Sequence, residues 1–305
     1  MFANHKNSGL MILVPLIFLA WGLSWPFMKT ALDYISPLWM GSLRMVIGGS
    51  ILLAVLIIMR RPLLPQKKDW KLIIIISLLQ MGLMTAFLNM GLTRVEASHG
   101  VILLYTTPLW VAPLAVILFK EKLAKLTWIG LFFGLCGVLL LFNPFTFDWE
   151  DTHHLMGCAF IIMAAISWAL AIIYIRFAKP GRSSLELVPW QQLTAAAFLA
   201  ILAMIFEPHP HVNWSWQLWT CMAYLGPIAT AFGFWCVIEM SYRLQPVTAS
   251  MLMLGAPVIG FISSALILDE TLTVEKLMAV LLLMSGLICI ALAKSNKTIK
   301  QVSLS

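Results

Sequence analysis

Few side chains in this chain have chemistry to offer, and nearly all of them lie within or beside long apolar stretches. Arg44 stands inside one such stretch, where a lone cation costs roughly 2.5–3.5 kcal/mol or more. A bound anion such as a substrate carboxylate would offset that cost. The structural alternatives are backbone carbonyls, the acid Asp33, or water reached by snorkelling. Glu96 and His99 lie one helical turn apart, with Thr106 two turns further along the same face. Because imidazole titrates nearest neutral pH, Glu96 and His99 suit proton coupling at the mouth of a cavity; the alternative is an interfacial pair bathed in headgroup water. Pro108 and Pro257 each remove a backbone donor within an apolar stretch, which bends a helix, frees a carbonyl and suits a gate. Trp25, Trp168, Trp235, Tyr105, Thr106, His99, Asn89 and Gln191 complete a candidate substrate cavity around Arg44. Such an aromatic lining suits amphipathic or aromatic metabolites and organic cations. Core packing and interhelix hydrogen bonding are the structural alternatives for each of these side chains.

The elements that must hold these residues follow from composition. The 305 residues are 61% hydrophobic and only 11% charged, with a mean hydropathy of +0.93. A soluble globule needs about a quarter charged residues, so a soluble enzyme, a disordered chain and a disulfide scaffold are all excluded. Charges and Pro/Gly breaks divide the chain into ten apolar segments near 10–29, 37–59, 70–90, 96–119, 126–143, 155–177, 186–206, 215–239, 246–268 and 274–293. These runs are too long for barrel strands, and lipid offers no partner to an open strand edge, so each reads as a membrane helix. The first is read as a retained span rather than a signal peptide, since it lacks a small-residue cleavage site. Sixteen of the twenty Lys and Arg fall on one side if the termini are cytoplasmic; Lys29, Arg94 and Lys276 fall on the other. This asymmetry predicts both termini inside and turns the net charge of +7 into a statement about topology rather than nucleic-acid binding.

The chain also repeats. A shift of 149 residues places Arg94 on Arg243, Pro108 on Pro257, Glu121 on Glu270, Leu123 on Leu272 and Gly137 on Gly286. A shift of 147 places Trp21 on Trp168 and Lys29 on Arg176, but sets Gln191 against Arg44. Halves of five spans each must lie in opposite orientations. The expected architecture is therefore an all-α polytopic membrane protein of ten helices in two inverted repeats, 1–147 and 148–305, with a midplane site between them. Glu96 and His99 correspond to Gln245 and Thr248, so a proton relay is predicted in one half only.

Other features have plainer readings. Gly130, Gly134 and Gly137 form a small face on the fifth span, suited to close helix contact within the fold or across a homodimer. Cys136, Cys158, Cys221, Cys236 and Cys289 sit in apolar runs as small buried hydrophobes. His153, His154, His209 and His211 fall in connections and read as solvated surface, so no metal and no cofactor are expected. The sequence holds no Walker A and no HExxH motif, and every Asp lies outside the span interiors, so an enzyme is not expected.

Trp21-Gly22-Leu23-Ser24-Trp25 with Lys29, Ser36-Pro37 with Arg44, and the pairs Glu121…Leu123 and Glu270…Leu272 together resemble the EamA family of the drug/metabolite transporter superfamily. The resemblance covers nearly the whole chain. It implies a central cavity lined by the first-, third- and fourth-type helices of each half, and export of a small metabolite such as an amino acid across a bacterial-type inner membrane. A membrane-embedded interaction or assembly protein without turnover is the alternative from another class. The implied partners are a small-molecule substrate and the lipid bilayer.

Overall fold

The computed structural model describes residues 15–120, 123–141, 150–175, 178, 180–243 and 246–302. Glu121, Arg176, Gln245 and the side chains of Arg243 and Thr248, all named above, lie outside what is described. Ten helical segments follow one another among the described residues. They are α1 (15–22 and Ser24–Ala31, with a turn at Leu23), α2 (Pro37–Ile58), α3 (Lys67–Leu92), α4 (Ala97–Leu104 and Thr107–Phe119) and α5 (Lys125–Leu141). Then come α6 (Thr152–Ile175), α7 (Ser184–Phe206), α8 (Trp216–Tyr224, Leu225–Phe232 and Gly233–Arg243 in succession), α9 (Pro246–Ile267) and α10 (Val274–Val302). Six of them, α2, α3, α4, α6, α7 and α8, are long and apolar enough to cross a membrane; α5 and the apolar stretch Gly255–Ile267 of α9 are shorter. The protein is thus a multi-pass membrane protein.

Carboxylates from elsewhere in the chain cap the two helices that begin beside the site. Pro37 opens α2, where its missing donor is harmless, and Glu207 from the end of α7 accepts the backbone N–H groups of Leu38 at 3.0 Å and Trp39 at 3.3 Å. Burial pushes the Glu207 carboxyl up from its ordinary value, while the two N–H donors pull the other way. Glu270, just past α9, does the same for α4 through the N–H groups of Ala97 at 2.6 Å and Ser98 at 2.8 Å. Negative charge at these helix starts meets both the unsatisfied donors and the positive end of the helix dipole.

The larger helix contacts follow an exchange of each helix with the one five places on. The α5–α10, α2–α7 and α4–α9 contacts map onto themselves; α3–α6 is answered by α8–α1, and α2–α8 by α7–α3. The α5–α10 seam is built on glycine: a Cβ added to Gly130 would sit 2.6 Å from the Gly286 carbonyl oxygen, and one on Gly286 2.5 Å from that of Gly130. This small face of α5 is therefore filled by α10 within the chain. Two backbone features recur at or within one residue of the same offset. Lys120 and Asp269, 149 residues apart, both take a left-handed φ of 52°, unusual for residues bearing a Cβ. The α3 stretch Ser77–Leu83 and the α8 stretch Leu225–Phe232 are both π-helical.

Two expectations change. Pro108 and Pro257 do not interrupt their helices alike: α4 breaks at Tyr105 and Thr106, whereas α9 runs unbroken through Pro257. In α4 the carbonyls left free are taken up locally. The Thr107 hydroxyl donates at 2.7 Å to the Leu104 carbonyl that Pro108 cannot reach, and the Thr106 hydroxyl donates at 2.7 Å to Leu103. Further, α6 starts at Thr152 rather than near 155, so His153 and His154 stand on its first turn and not in a loop. Asp151, whose carboxylate accepts the His154 N–H at 3.0 Å, supplies the N-terminal cap that extends the helix backwards.

Candidate substrate cavity

A π-helical turn shifts backbone carbonyls out of their usual register, and side chains of neighbouring helices donate to them in addition to the local N–H groups that reach Leu79 and Thr230. Ser167 of α6 donates to the Leu79 carbonyl in α3 at 2.7 Å, and Trp21 of α1 donates to the Ala229 carbonyl in α8 at 3.1 Å. Gln192 of α7 holds the Thr230 carbonyl at 2.9 Å. Immediately after these stretches, Met84 and Thr85 of α3 and Phe234 of α8 face a common cavity. Thr85 and Phe234 are 149 residues apart, and Trp21 and Trp168, also in the lining, are 147 apart. Two repeat-related pairs thus contribute to the walls.

The cavity has a free volume of about 50 Å³, room for a few waters on the scale of one per 10–15 Å³. An amino-acid-sized ligand needs side chains to move. The Trp168 ring makes edge contacts with Trp21 and Tyr105, at centroid separations of 5.8 and 6.2 Å, and Phe234 meets Trp21 at 5.6 Å. Trp25 is wedged between α4 and α9, where a Cβ on Gly100 would lie 3.2 Å, and one on Gly260 2.8 Å, from its indole. Tyr105 reaches the cavity from the break in α4, two residues before the helix resumes at Thr107 and Pro108.

Arg44 supplies the formal charge. It is 6% exposed; its Nε donates to Thr230 Oγ1 at 3.0 Å and one terminal nitrogen approaches Met28 Sδ at 3.0 Å. Ion pairs among the described residues join Arg61 and Arg182 to Glu186, and Lys276 to Glu96; none includes Arg44 or Asp33. No acid lines the cavity, and the buried Trp168 Nε1 has no hydrogen-bond partner among the described residues. The polar set is therefore rich in donors, with a guanidinium as its only charge, an arrangement that receives an acceptor bearing negative charge.

Of the residues expected here, Trp25, Arg44, Tyr105 and Trp168 line the cavity. Asn89 is a tie between α3 and α2, its amide donating to the Pro37 carbonyl at 3.0 Å. Thr106 accepts from Trp110 Nε1 at 3.2 Å. Gln191 is fully buried, and Trp235 sits beside Phe232 in a satellite cluster with Ile17 and Cys236. Glu96 pairs with Lys276, while the His99 ring lies against His154 at 5.2 Å. Close to Glu96, Lys29 caps the end of α3 by donating to the carbonyls of Leu92 at 2.6 Å and Val95 at 2.8 Å. The lining residues Trp21, Ser24, Met28 and Phe234 were not in the expected set. The sequence carries a signal for Trp21, the repeat counterpart of Trp168, and for Ser24, one residue from Trp25; it carries none for Met28 or Phe234.

The sequence profile of the EamA-like transporter family matches residues 9–143 and again 155–292. The uncharacterized transporter YoaV of Bacillus subtilis strain 168 is 30% identical over 88% of this chain and 92% of its own. A probable amino-acid metabolite efflux pump of Salmonella typhimurium is 25% identical over 93% of this chain and 94% of its own; one of the same description from Escherichia coli K12 is also 25% identical, over 90% and 92%. A solved crystal structure at 19% identity aligns with a TM-score of 0.68 across 95% of this chain and 98% of the other, a likeness of fold alone. The twice-matched profile and the full-length relatives carry the conclusion that this chain belongs to the EamA-like transporter family.

Proposed function

We propose that this protein is a secondary transporter of small carboxylate-bearing organic metabolites, amino acids or related compounds, working by alternating access across a bacterial cytoplasmic membrane in the direction of export. Its ten helices span the membrane as two inverted halves, 1–147 and 148–305, with both termini cytoplasmic. The observation that carries this reading is Arg44, a buried cation with no acidic partner among the described residues, in a cavity walled by Trp21, Trp25, Tyr105, Trp168 and Phe234. Arg44 receives the carboxylate, Trp168 Nε1 adds a second donor, and the rings bound the apolar part. The exchange symmetry of the helix contacts supports the inverted halves, and the amino-acid metabolite description of two relatives supports the substrate class.

Reconstitution in proteoliposomes tests it. A charge-assisted hydrogen bond contributes about 1.5–3 kcal/mol, so Arg44→Ala should raise KM for carboxylate substrates roughly 10- to 150-fold, with Arg44→Lys recovering part of the loss. Uptake of a panel of amino acids and aromatic carboxylates that is unaltered in Arg44→Ala would overturn the assignment.

A further inference from the structure

Away from the cavity, three side chains that ligate metals converge where α4 and α6 begin. His154 and Cys158 are one turn apart on α6 and so share a face, and His99 comes from the first turn of α4. One donor atom from each lies within 4.8 Å of the other two. We propose that His99, His154 and Cys158 form a binding site for a borderline-soft divalent cation of the Zn²⁺ type, clamping α4 to α6.

Zinc takes imidazole nitrogen at about 2.0–2.1 Å and thiolate sulfur at about 2.3 Å, which in a tetrahedron sets the donors about 3.4–3.6 Å apart. Any gap must therefore close by at most about 1.4 Å, within the reach of small side-chain rotations about a bound ion. Two imidazoles and a thiolate favour Zn²⁺, Co²⁺ and Cd²⁺ over Mg²⁺ and Ca²⁺, which require oxygen. His99 and Cys158 are buried and His154 is half-buried, so the ion enters past His154 and ends at the sulfur. Three protein donors leave one position for water. Lys276, paired with Glu96 nearby, is a cation that the site must tolerate; the Cys158 thiolate and the neighbouring Asp151 carboxylate offset it. The clamp joins the first half of the broken helix α4 to α6, the helix that carries Trp168.

Cobalt titration of the full chain, without a polyhistidine tag and in detergent, tests the site directly, whether or not the protein transports carboxylates. The expected result is one Co²⁺ per chain with tetrahedral ligand-field bands and a thiolate charge-transfer band, displaced by Zn²⁺. Cys158→Ser should abolish the charge-transfer band, and His154→Ala, a change at a half-buried position, should weaken binding at least about tenfold. No saturable binding, or a spectrum unchanged in Cys158→Ser, overturns the proposal. A melting temperature that Zn²⁺ raises in the wild type and leaves unmoved in Cys158→Ser supports it by a second route.

Discussion

At the scale of single residues, the cavity depends on donors that face no acid. Trp168 is the sharpest case, because its ring is packed by Trp21 and Tyr105 while its Nε1 is buried without a partner. Trp168→Phe keeps most of the aromatic surface and deletes the donor. In the proposed transporter it should raise KM for carboxylate substrates about 5- to 20-fold, the worth of one hydrogen bond at about 1–1.8 kcal/mol, with less effect on Vmax. Transport kinetics in proteoliposomes measure the split. The sequence reading reached Arg44, Trp25, Tyr105 and Trp168 because charge and indole are conspicuous against aliphatic surroundings. It did not reach Met28, Met84 or Leu88, whose types are the same whether they face lipid, a neighbour or a cavity. The pairing of His154 with Cys158 is equally hidden in sequence, because the apolar run begins near 155 and only the Asp151 cap carries the helix back to Thr152, where His154 gains a one-turn neighbour.

At the scale of elements, the caps and the π-helical stretches are the parts that local sequence conceals, because each is completed by a group far away in the chain. Glu270 serves α4 from 173 residues away. Removing its carboxylate leaves two donors at a buried helix start, so Glu270→Ala should destabilise the protein by about 1–3 kcal/mol, with Glu270→Gln intermediate; a fall in melting temperature in detergent is the readout. Ser167→Ala should cost less, about 0.5–1.5 kcal/mol, because the Leu79 carbonyl loses the hydroxyl that reaches it from α6 but keeps the Met84 N–H as a donor. Sequence did reveal the repeat, yet it assigned Pro108 and Pro257 the same effect. Proline alone does not decide: the hydroxyls of Thr106 and Thr107 satisfy the carbonyls beside Pro108, and α4 opens there. The left-handed residues Lys120 and Asp269 show the converse, the repeat persisting in the backbone where one side chain is basic and the other acidic.

At the scale of the whole molecule, the α5–α10 seam joins the ends of the two halves through glycine. Gly286→Ala would place a methyl group 2.5 Å from a backbone oxygen that cannot rotate away, and should destabilise the protein by about 1–3 kcal/mol without altering the KM of substrates. The proposed inversion has its own test. Single cysteines introduced at Lys120 and at Asp269, in a background lacking the native cysteines, should react with a membrane-impermeant thiol reagent from opposite faces of the membrane. Labelling of both from the same face would remove the inverted topology and with it the midplane site.

The unequal helices α4 and α9 carry a kinetic consequence. One member of an otherwise matched pair is split and the other is continuous, so in the proposed alternating-access cycle the conformations open to either face are not equivalent by symmetry. With no driving force, microscopic reversibility still forces Vmax/KM to be equal in the two directions, as the Haldane relation requires. Vmax and KM separately are under no such constraint. The proposed transporter should bind its substrate with different apparent affinity from each face, and sided vesicles assayed for influx and efflux would reveal a carrier that saturates earlier from one side.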